Sequence, residues 1–137
     1  MLIGIDPLLT GPLLSALDLL GHGDRLVIAD ANFPARTTGS EVLALPGIGS
    51  PAVLAAVATV FPVEADGRVR VMAAPEGEIP IHRELARAAS VHAPVELELV
   101  ERFAFYEAAR GALVLLTGET RPYGNAILVK GVVPAPA

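Results

Sequence analysis

The sequence predicts one layered α/β domain with a mostly parallel or mixed sheet. Short apolar runs typical of buried strands alternate along the chain with stretches typical of helices. No repeat, low-complexity tract or linker interrupts this alternation. The length of 137 residues suits a single domain, 1–137, that buries about two-thirds of its unfolded surface.

Helix signals occur in four stretches. Pro12 suits the first turn of a helix that Gly21 ends, and Ser50 with Pro51 predicts a second start in which the serine is the cap. Gly111 ends the last stretch. The predicted helices cover residues 11–20, 50–61, 81–90 and 101–110.

Strand signals separate these helices. Residues 26–29 form a continuous apolar run, which is typical of a strand covered on both faces. Residues 95–100 largely alternate apolar and acidic side chains, which predicts a strand at the sheet edge. We expect residues 31–40 to form a loop long enough to wrap a ligand. The predicted strands are 26–29, 42–45, 68–72, 95–100, 113–116 and 126–129.

Composition excludes several functions. The net charge of −5 without a basic cluster argues against nucleic acid or an anionic membrane as a partner. The absence of cysteine excludes disulfides, thiolate zinc sites and a cysteine nucleophile. No apolar run approaches the roughly 18 residues of a membrane span, and the start lacks the basic region of a signal peptide, so we expect a cytoplasmic protein.

The apolar content also predicts self-association. Hydrophobic residues make up 53% of the chain and the mean hydropathy is +0.55, although aromatic residues are only 4%. Obligate subunit interfaces resemble a core cut in half, so an apolar excess without a membrane span indicates a homo-oligomer.

Residues capable of chemistry lie at the ends of predicted elements. His22 stands between Gly21 and Gly23, both of which can adopt positive φ and leave the imidazole open to a ligand. Asp30 follows the strand 26–29, at the end where ligands bind in open α/β sheets. A histidine that enters a strand and an aspartate that leaves it can meet only if a loop folds back or a second subunit supplies one of them.

The tripeptide Tyr123-Gly124-Asn125 has the polar groups that sugars require. Tyrosine supplies a hydroxyl, asparagine supplies an amide donor and a carbonyl acceptor, and the glycine lets the backbone approach a polyol closely. The tripeptide is also compatible with a plain turn.

Simpler interpretations exist for the other candidates. His22 suits the carboxyl end of a helix, where a positive charge interacts favourably with the negative end of the macrodipole. Asp30 suits an Asx turn, and Arg102 suits a surface ion pair with a neighbouring glutamate. His82 and His92 have no acidic partner at ligand spacing, so we expect no metal site.

Four separated stretches together resemble the RbsD/FucU family of sugar mutarotases. They are Gly21-His22-Gly23-Asp24, Asp30-Ala31-Asn32-Phe33-Pro34, Arg102-Phe103-Ala104-Phe105-Tyr106-Glu107 and Tyr123-Gly124-Asn125. The similarity spans nearly the whole chain and is greater to the fucose-type branch. It implies a three-layer α/β/α fold, ring-based oligomers that are commonly decamers, and a sugar site between adjacent subunits.

The resemblance also implies an activity and a set of site residues. The implied reaction is cofactor-free interconversion of the α and β anomers of L-fucose or a related aldose, with His22 as the acid/base. The implied catalytic residues are His22, Asp30 and Tyr123. The implied substrate-binding residues are Asp30, Arg102, Tyr106, Tyr123, Gly124 and Asn125.

The choice of sugar depends on a few positions. Tyr106 favours fucose, because the ribose-type branch carries histidine there. Asn32 and Arg36 depart from the fucose-type pattern, which often has histidine at one or both positions. A ribose mutarotase and a noncatalytic monosaccharide-binding protein are the alternatives.

Overall fold

The computed structural model describes residues 1–137 and has a six-stranded sheet with helices on both faces. The helices are α1 (Gly11–Leu19), α2 (Ala35–Thr38), α3 (Ser50–Ala58), α4 (Pro80–Ala89) and α5 (Arg102–Ala109). The strands are β1 (Arg25–Ala29), β2 (Glu41–Leu45), β3 (Arg68–Met72), β4 (Glu96–Val100), β5 (Leu113–Thr117) and β6 (Ala126–Val129). The short α2 lies within the stretch predicted to be a loop, and the other elements match the predicted ones closely.

The sheet has the strand order β2-β5-β1-β6-β3-β4. Strands β1 to β5 run in one direction, whereas β6 is antiparallel to both of its neighbours, β1 and β3. The mixed sheet and the edge position of β4 confirm the predictions. The carboxyl ends of five strands therefore lie along one side of the sheet, the side that runs across the strands and where β6 begins. This side is here called the carboxyl edge. The opposite edge is called the amino edge.

Helices cover both faces of the sheet. Leu26 and Ile28 of β1 pack in one core with residues of α1, α3 and α4. Val27 and Ala29 point to the other face, where they pack with residues of α2 and α5. All four side chains are fully buried. The three-layer architecture and the strand covered on both faces are thus confirmed.

Two glutamate side chains accept hydrogen bonds from backbone N–H groups at the starts of helices next to the carboxyl edge. The Ser50 backbone N–H at the start of α3 donates to Glu119 Oε2 at 3.3 Å. The Ser50 hydroxyl has no partner, so the prediction that Ser50 caps this helix was wrong. The Glu101 carboxylate accepts from the backbone N–H groups of Phe103 and Ala104 at 3.0 and 3.1 Å, which caps α5. This cap sets the direction of the first turn of α5.

None of the helices has the length and apolar character that crossing a bilayer requires. The longest, α4, has ten residues.

Candidate functional site

A small cavity of about 230 Å³ opens at the carboxyl edge. Its volume is below the ~300–1,000 Å³ typical of pockets for drug-sized ligands, so it suits a small ligand. Its walls come from the ends of β1 and β3, the start of α5 and the segment before β6. Nine residues line it: Asp30, Asn32, Phe33, Met72, Arg102, Tyr106, Pro122, Tyr123 and Asn125.

Asp30 and Asn125 form a reciprocal pair on one wall. The Asn125 side-chain amide donates to Asp30 Oδ2 at 2.9 Å, and Asn125 Oδ1 accepts the Asp30 backbone N–H at 2.7 Å. The backbone N–H of Asn32 donates to Asp30 Oδ1 at 2.9 Å. Both side chains of the pair are buried. Burial raises the pKa of Asp30, and the hydrogen bonds from Asn32 and Asn125 oppose this rise.

Arg102 and Tyr106 stand one turn apart on α5. Arg102 Nε donates to Tyr106 Oη at 3.3 Å, and the guanidinium carbon lies 5.7 Å from the centre of the Tyr106 ring. This hydrogen bond is the main cause that raises the pKa of Arg102, so the guanidinium stays charged. The Tyr106 ring also packs against Phe33, with 5.7 Å between ring centres. The pair therefore presents several donors and an aromatic surface to the cavity.

The segment before β6 places Tyr123 in the cavity wall. Tyr123 has a left-handed backbone with φ of +63°, and it is the one non-glycine residue with positive φ. Its carbonyl accepts a hydrogen bond from His82 Nε2 at 3.2 Å. Gly124 does not line the cavity. A Cβ at Gly124 would lie 2.7 Å from Ile81 Cδ1 and 2.9 Å from Glu119 Cγ, so packing inside the protein requires glycine there.

His22 lies at the amino edge, in the turn that precedes β1. Within this turn only Gly23 has positive φ, at +86°, although the sequence predicts this freedom for Gly21 as well. The five residues of β1, about 16 Å of strand, separate His22 from Asp30. The chain thus brings together Asp30, Arg102, Tyr106, Tyr123 and Asn125, but not His22. The imidazole is exposed, with 60% of its side-chain surface accessible.

Glu64 is the partner of His22 that the sequence does not reveal. Glu64 Oε2 lies 2.6 Å from His22 Nε2. The backbone N–H of Ala65 is the first cause that lowers the pKa of Glu64, and the contact with His22 is the second. The two residues are 42 positions apart, so no local spacing could predict the pair. Met72, Phe33 and Pro122 were also not predicted, because apolar residues at element ends carry no distinctive pattern.

No group of three or more histidine, aspartate or glutamate side chains is close enough together to hold a metal ion. The arrangement at the carboxyl edge instead offers hydrogen-bond donors and acceptors around a small volume. The fold and this pocket define an α/β protein with a polar site of a size and chemistry that suit a small, hydroxyl-rich ligand.

Comparison with known proteins identifies the family. The model of the RbsD / FucU transport protein family matches residues 3–133, so the chain belongs to that family. It is similar to FucU from Bifidobacterium longum, with 39% identity over 95% of this chain and 99% of that chain and a TM-score of 0.86. This chain is therefore a sugar-binding protein or sugar mutarotase of the RbsD/FucU type.

Two solved relatives contain sugars. The chain is 28% identical to the fucose mutarotase from Streptococcus pneumoniae in complex with L-fucose, over 97% of this chain and 100% of that one, with a TM-score of 0.86. It is 27% identical to RbsD from Bacillus subtilis complexed with D-ribose, over 97% and 99% of the two chains, with a TM-score of 0.73.

Proposed function

We propose that this protein is a mutarotase that interconverts the α and β anomers of L-fucose or a related aldose. The observation that carries the proposal is the Asp30–Asn125 pair in the wall of a 230 Å³ cavity. The pair presents a fixed carboxylate, Arg102 adds charged donors, and Tyr106 and Tyr123 add phenolic hydroxyls. This mixture matches a molecule whose hydroxyl groups both donate and accept hydrogen bonds.

The reaction needs one proton delivered and one removed. The ring oxygen takes a proton as its bond to the anomeric carbon breaks, and the anomeric hydroxyl loses a proton as the aldehyde forms. Ring closure on the other face of the carbonyl reverses both transfers. Imidazole gives and takes protons near neutral pH, so we assign this role to His22. Such a group contributes about 10² to 10⁴-fold in rate.

Glu64 supports His22 in this role. Its carboxylate, 2.6 Å from Nε2, restricts the orientation of the ring. Asp30 and Tyr123 are the other proposed catalytic residues, because their polar atoms can hold the anomeric hydroxyl during proton transfer. Arg102, Tyr106, Gly124 and Asn125 complete the proposed binding set, with Gly124 acting through the backbone that positions its two neighbours.

The site requires a second copy of the chain. His22 and the cavity lie at opposite edges of the sheet, so one copy must present its amino edge to the carboxyl edge of another. Exposed apolar side chains accompany both edges, with Leu19 close in sequence to His22 and Phe103 next to Arg102. A contact between two different surfaces repeats head to tail and forms a ring when its rotation closes. We therefore propose a ring-based homo-oligomer, with a decamer as the form that the resemblance to the family implies.

Saturation transfer between the α and β anomeric protons tests the function. Exchange is measured for L-fucose and D-ribose with the wild-type protein, with His22→Ala and with His92→Ala as the matched surface control. Faster exchange that His22→Ala abolishes and His92→Ala preserves supports the proposal. Faster exchange for ribose alone moves the substrate to ribose, a candidate that the likeness to the ribose-bound RbsD supports. Sugar binding without faster exchange identifies a noncatalytic binding protein and overturns the mutarotase assignment.

A further inference from the structure

Tyr123 adopts a backbone conformation that its side chain disfavours. Its φ of +63° is uncommon for any residue with a Cβ, and for a bulky aromatic residue it must be maintained by the surroundings. Relaxation to negative φ would change the direction of the Tyr123 side chain, which lines the cavity. The contacts that hold this backbone therefore control the shape of the site.

Packing contacts and ion pairs fix the segment around Tyr123. Gly124 packs so closely against Ile81 and Glu119 that there is no room for a Cβ. Glu119 in turn accepts from the guanidinium of Arg121 at 2.9 and 3.1 Å, and the same guanidinium bonds to Glu84 of α4. The segment is thus attached to α4, but none of these contacts involves the Tyr123 peptide itself.

His82 contacts the Tyr123 peptide directly. Its side chain is completely buried at the start of α4. The backbone N–H of Ile79 donates to Nδ1 at 3.1 Å, and Nε2 lies 3.2 Å from the carbonyl oxygen of Tyr123. Both hydrogen bonds form together only in the neutral tautomer with the proton on Nε2. Burial lowers the pKa of His82 and so favours this neutral form; Glu78 is the charged group that opposes the shift.

We propose that His82 is a positioning residue that holds Tyr123 in its left-handed conformation through the hydrogen bond from Nε2 to the Tyr123 carbonyl. His82 does not line the cavity, so it acts on the ligand through Tyr123. The inference rests on the proposed function, because it assigns His82 to the same site. It also explains why a polar side chain occupies a fully buried position of α4.

Two substitutions separate the two hydrogen bonds of His82. In His82→Asn the amide oxygen lies near the position of Nδ1 and can accept from Ile79, but the side chain is too short to reach Tyr123. In His82→Gln the amide nitrogen lies near the position of Nε2 and can donate to Tyr123, while the bond to Ile79 is lost. The pair therefore distinguishes a role in beginning α4 from a role in positioning Tyr123.

The experiment measures kcat and KM for anomer exchange, urea unfolding, and the backbone amide and Cα NMR signals of Tyr123. We expect His82→Asn to lower kcat/KM about tenfold, the effect of one lost hydrogen bond, and to shift the Tyr123 signals. We expect His82→Gln to keep kcat/KM within about threefold of wild type with unchanged Tyr123 signals, even if it unfolds at lower urea.

Three results overturn the inference. The first is a wild-type kcat/KM in His82→Asn, and the second is a set of unchanged Tyr123 signals in that variant. The third is a loss of kcat/KM in both variants that is proportional to their loss of stability. A wild-type protein that accelerates no exchange overturns the proposed function instead. The Tyr123 signals of the two variants then still decide whether His82 holds that backbone.

Discussion

The side chain of Asn125 contacts Asp30 twice, donating to its carboxylate at 2.9 Å and accepting from its backbone N–H at 2.7 Å. The two residues are 95 positions apart, and they join the end of β1 to the start of the antiparallel β6. This contact fixes the orientation of a buried carboxylate that faces the cavity. It therefore links the stability of the fold to the geometry of the site.

Removal of the Asn125 side chain should destabilise the protein. Asn125→Ala removes the partners of Asp30 Oδ2 and of the Asp30 backbone N–H in a buried position, so we expect a loss of about 1–3 kcal/mol in the free energy of unfolding. Asn32→Ala is the matched control, because Asn32 contacts Asp30 through its backbone N–H. Urea unfolding measures both, and an equal loss in the two variants would contradict the role of the Asn125 side chain.

The buried carboxyl of Asp30 should make stability depend on pH. Its pKa is raised in the folded state, so the stability it contributes is fully present below the unfolded value of about 3.8 and is lost as pH rises through the folded pKa. Glu64 and Glu119, whose pKa values are lowered, act in the opposite direction. We therefore expect the stability of wild type minus that of Asp30→Asn to fall as pH rises from about 3.8 and then level off.

Unfolding curves in urea across that pH range provide the comparison. The difference between the two proteins cancels the contributions of the other carboxyl groups. A difference that stays constant, or that grows with pH, would show that burial does not dominate at Asp30.

Glu64 should affect catalysis through His22. Glu64→Gln keeps a hydrogen-bonding group beside the imidazole but replaces the carboxylate with a neutral amide, whose hydrogen bond is weaker. The ring is then held less firmly, so we expect kcat to fall about tenfold with little change in KM. Asp66→Asn serves as the control, because Asp66 belongs to the same loop but pairs with Arg70. A kcat unchanged in Glu64→Gln would limit the Glu64 contact to a structural role.

Mixed oligomers test whether one site uses two copies of the chain. His22→Ala and Asp30→Asn should each be inactive, but their co-expression should regenerate some sites that have His22 from one copy and Asp30 from another. For random mixing we expect about a quarter of the wild-type rate of anomer exchange. The control is co-expression of two copies of the same variant. No recovery in oligomers shown to contain both variants would contradict a shared site.

Periodicity and end signals along the chain were enough to predict most of the fold. The continuous apolar run in β1 indicates burial on both faces, since alternate side chains of a strand point to opposite sides. The alternation in β4 indicates an edge strand, and the place of Asp30 directly after β1 puts it at the carboxyl edge. These features depend on neighbouring residues, so the sequence alone determined them. Four-residue α2 lacks the length that a helical period needs, and it was missed.

Only the tertiary structure decided which distant residues meet. Strand β6 lies antiparallel between β1 and β3, which brings Asn125 to Asp30. At the amino edge, the loop before β3 brings Glu64 to His22. The same packing explains Gly124, which makes room for Ile81 and Glu119, and it gives the left-handed backbone to Tyr123. Contacts between residues 42 to 95 positions apart depend on strand order and helix placement, which local patterns do not encode.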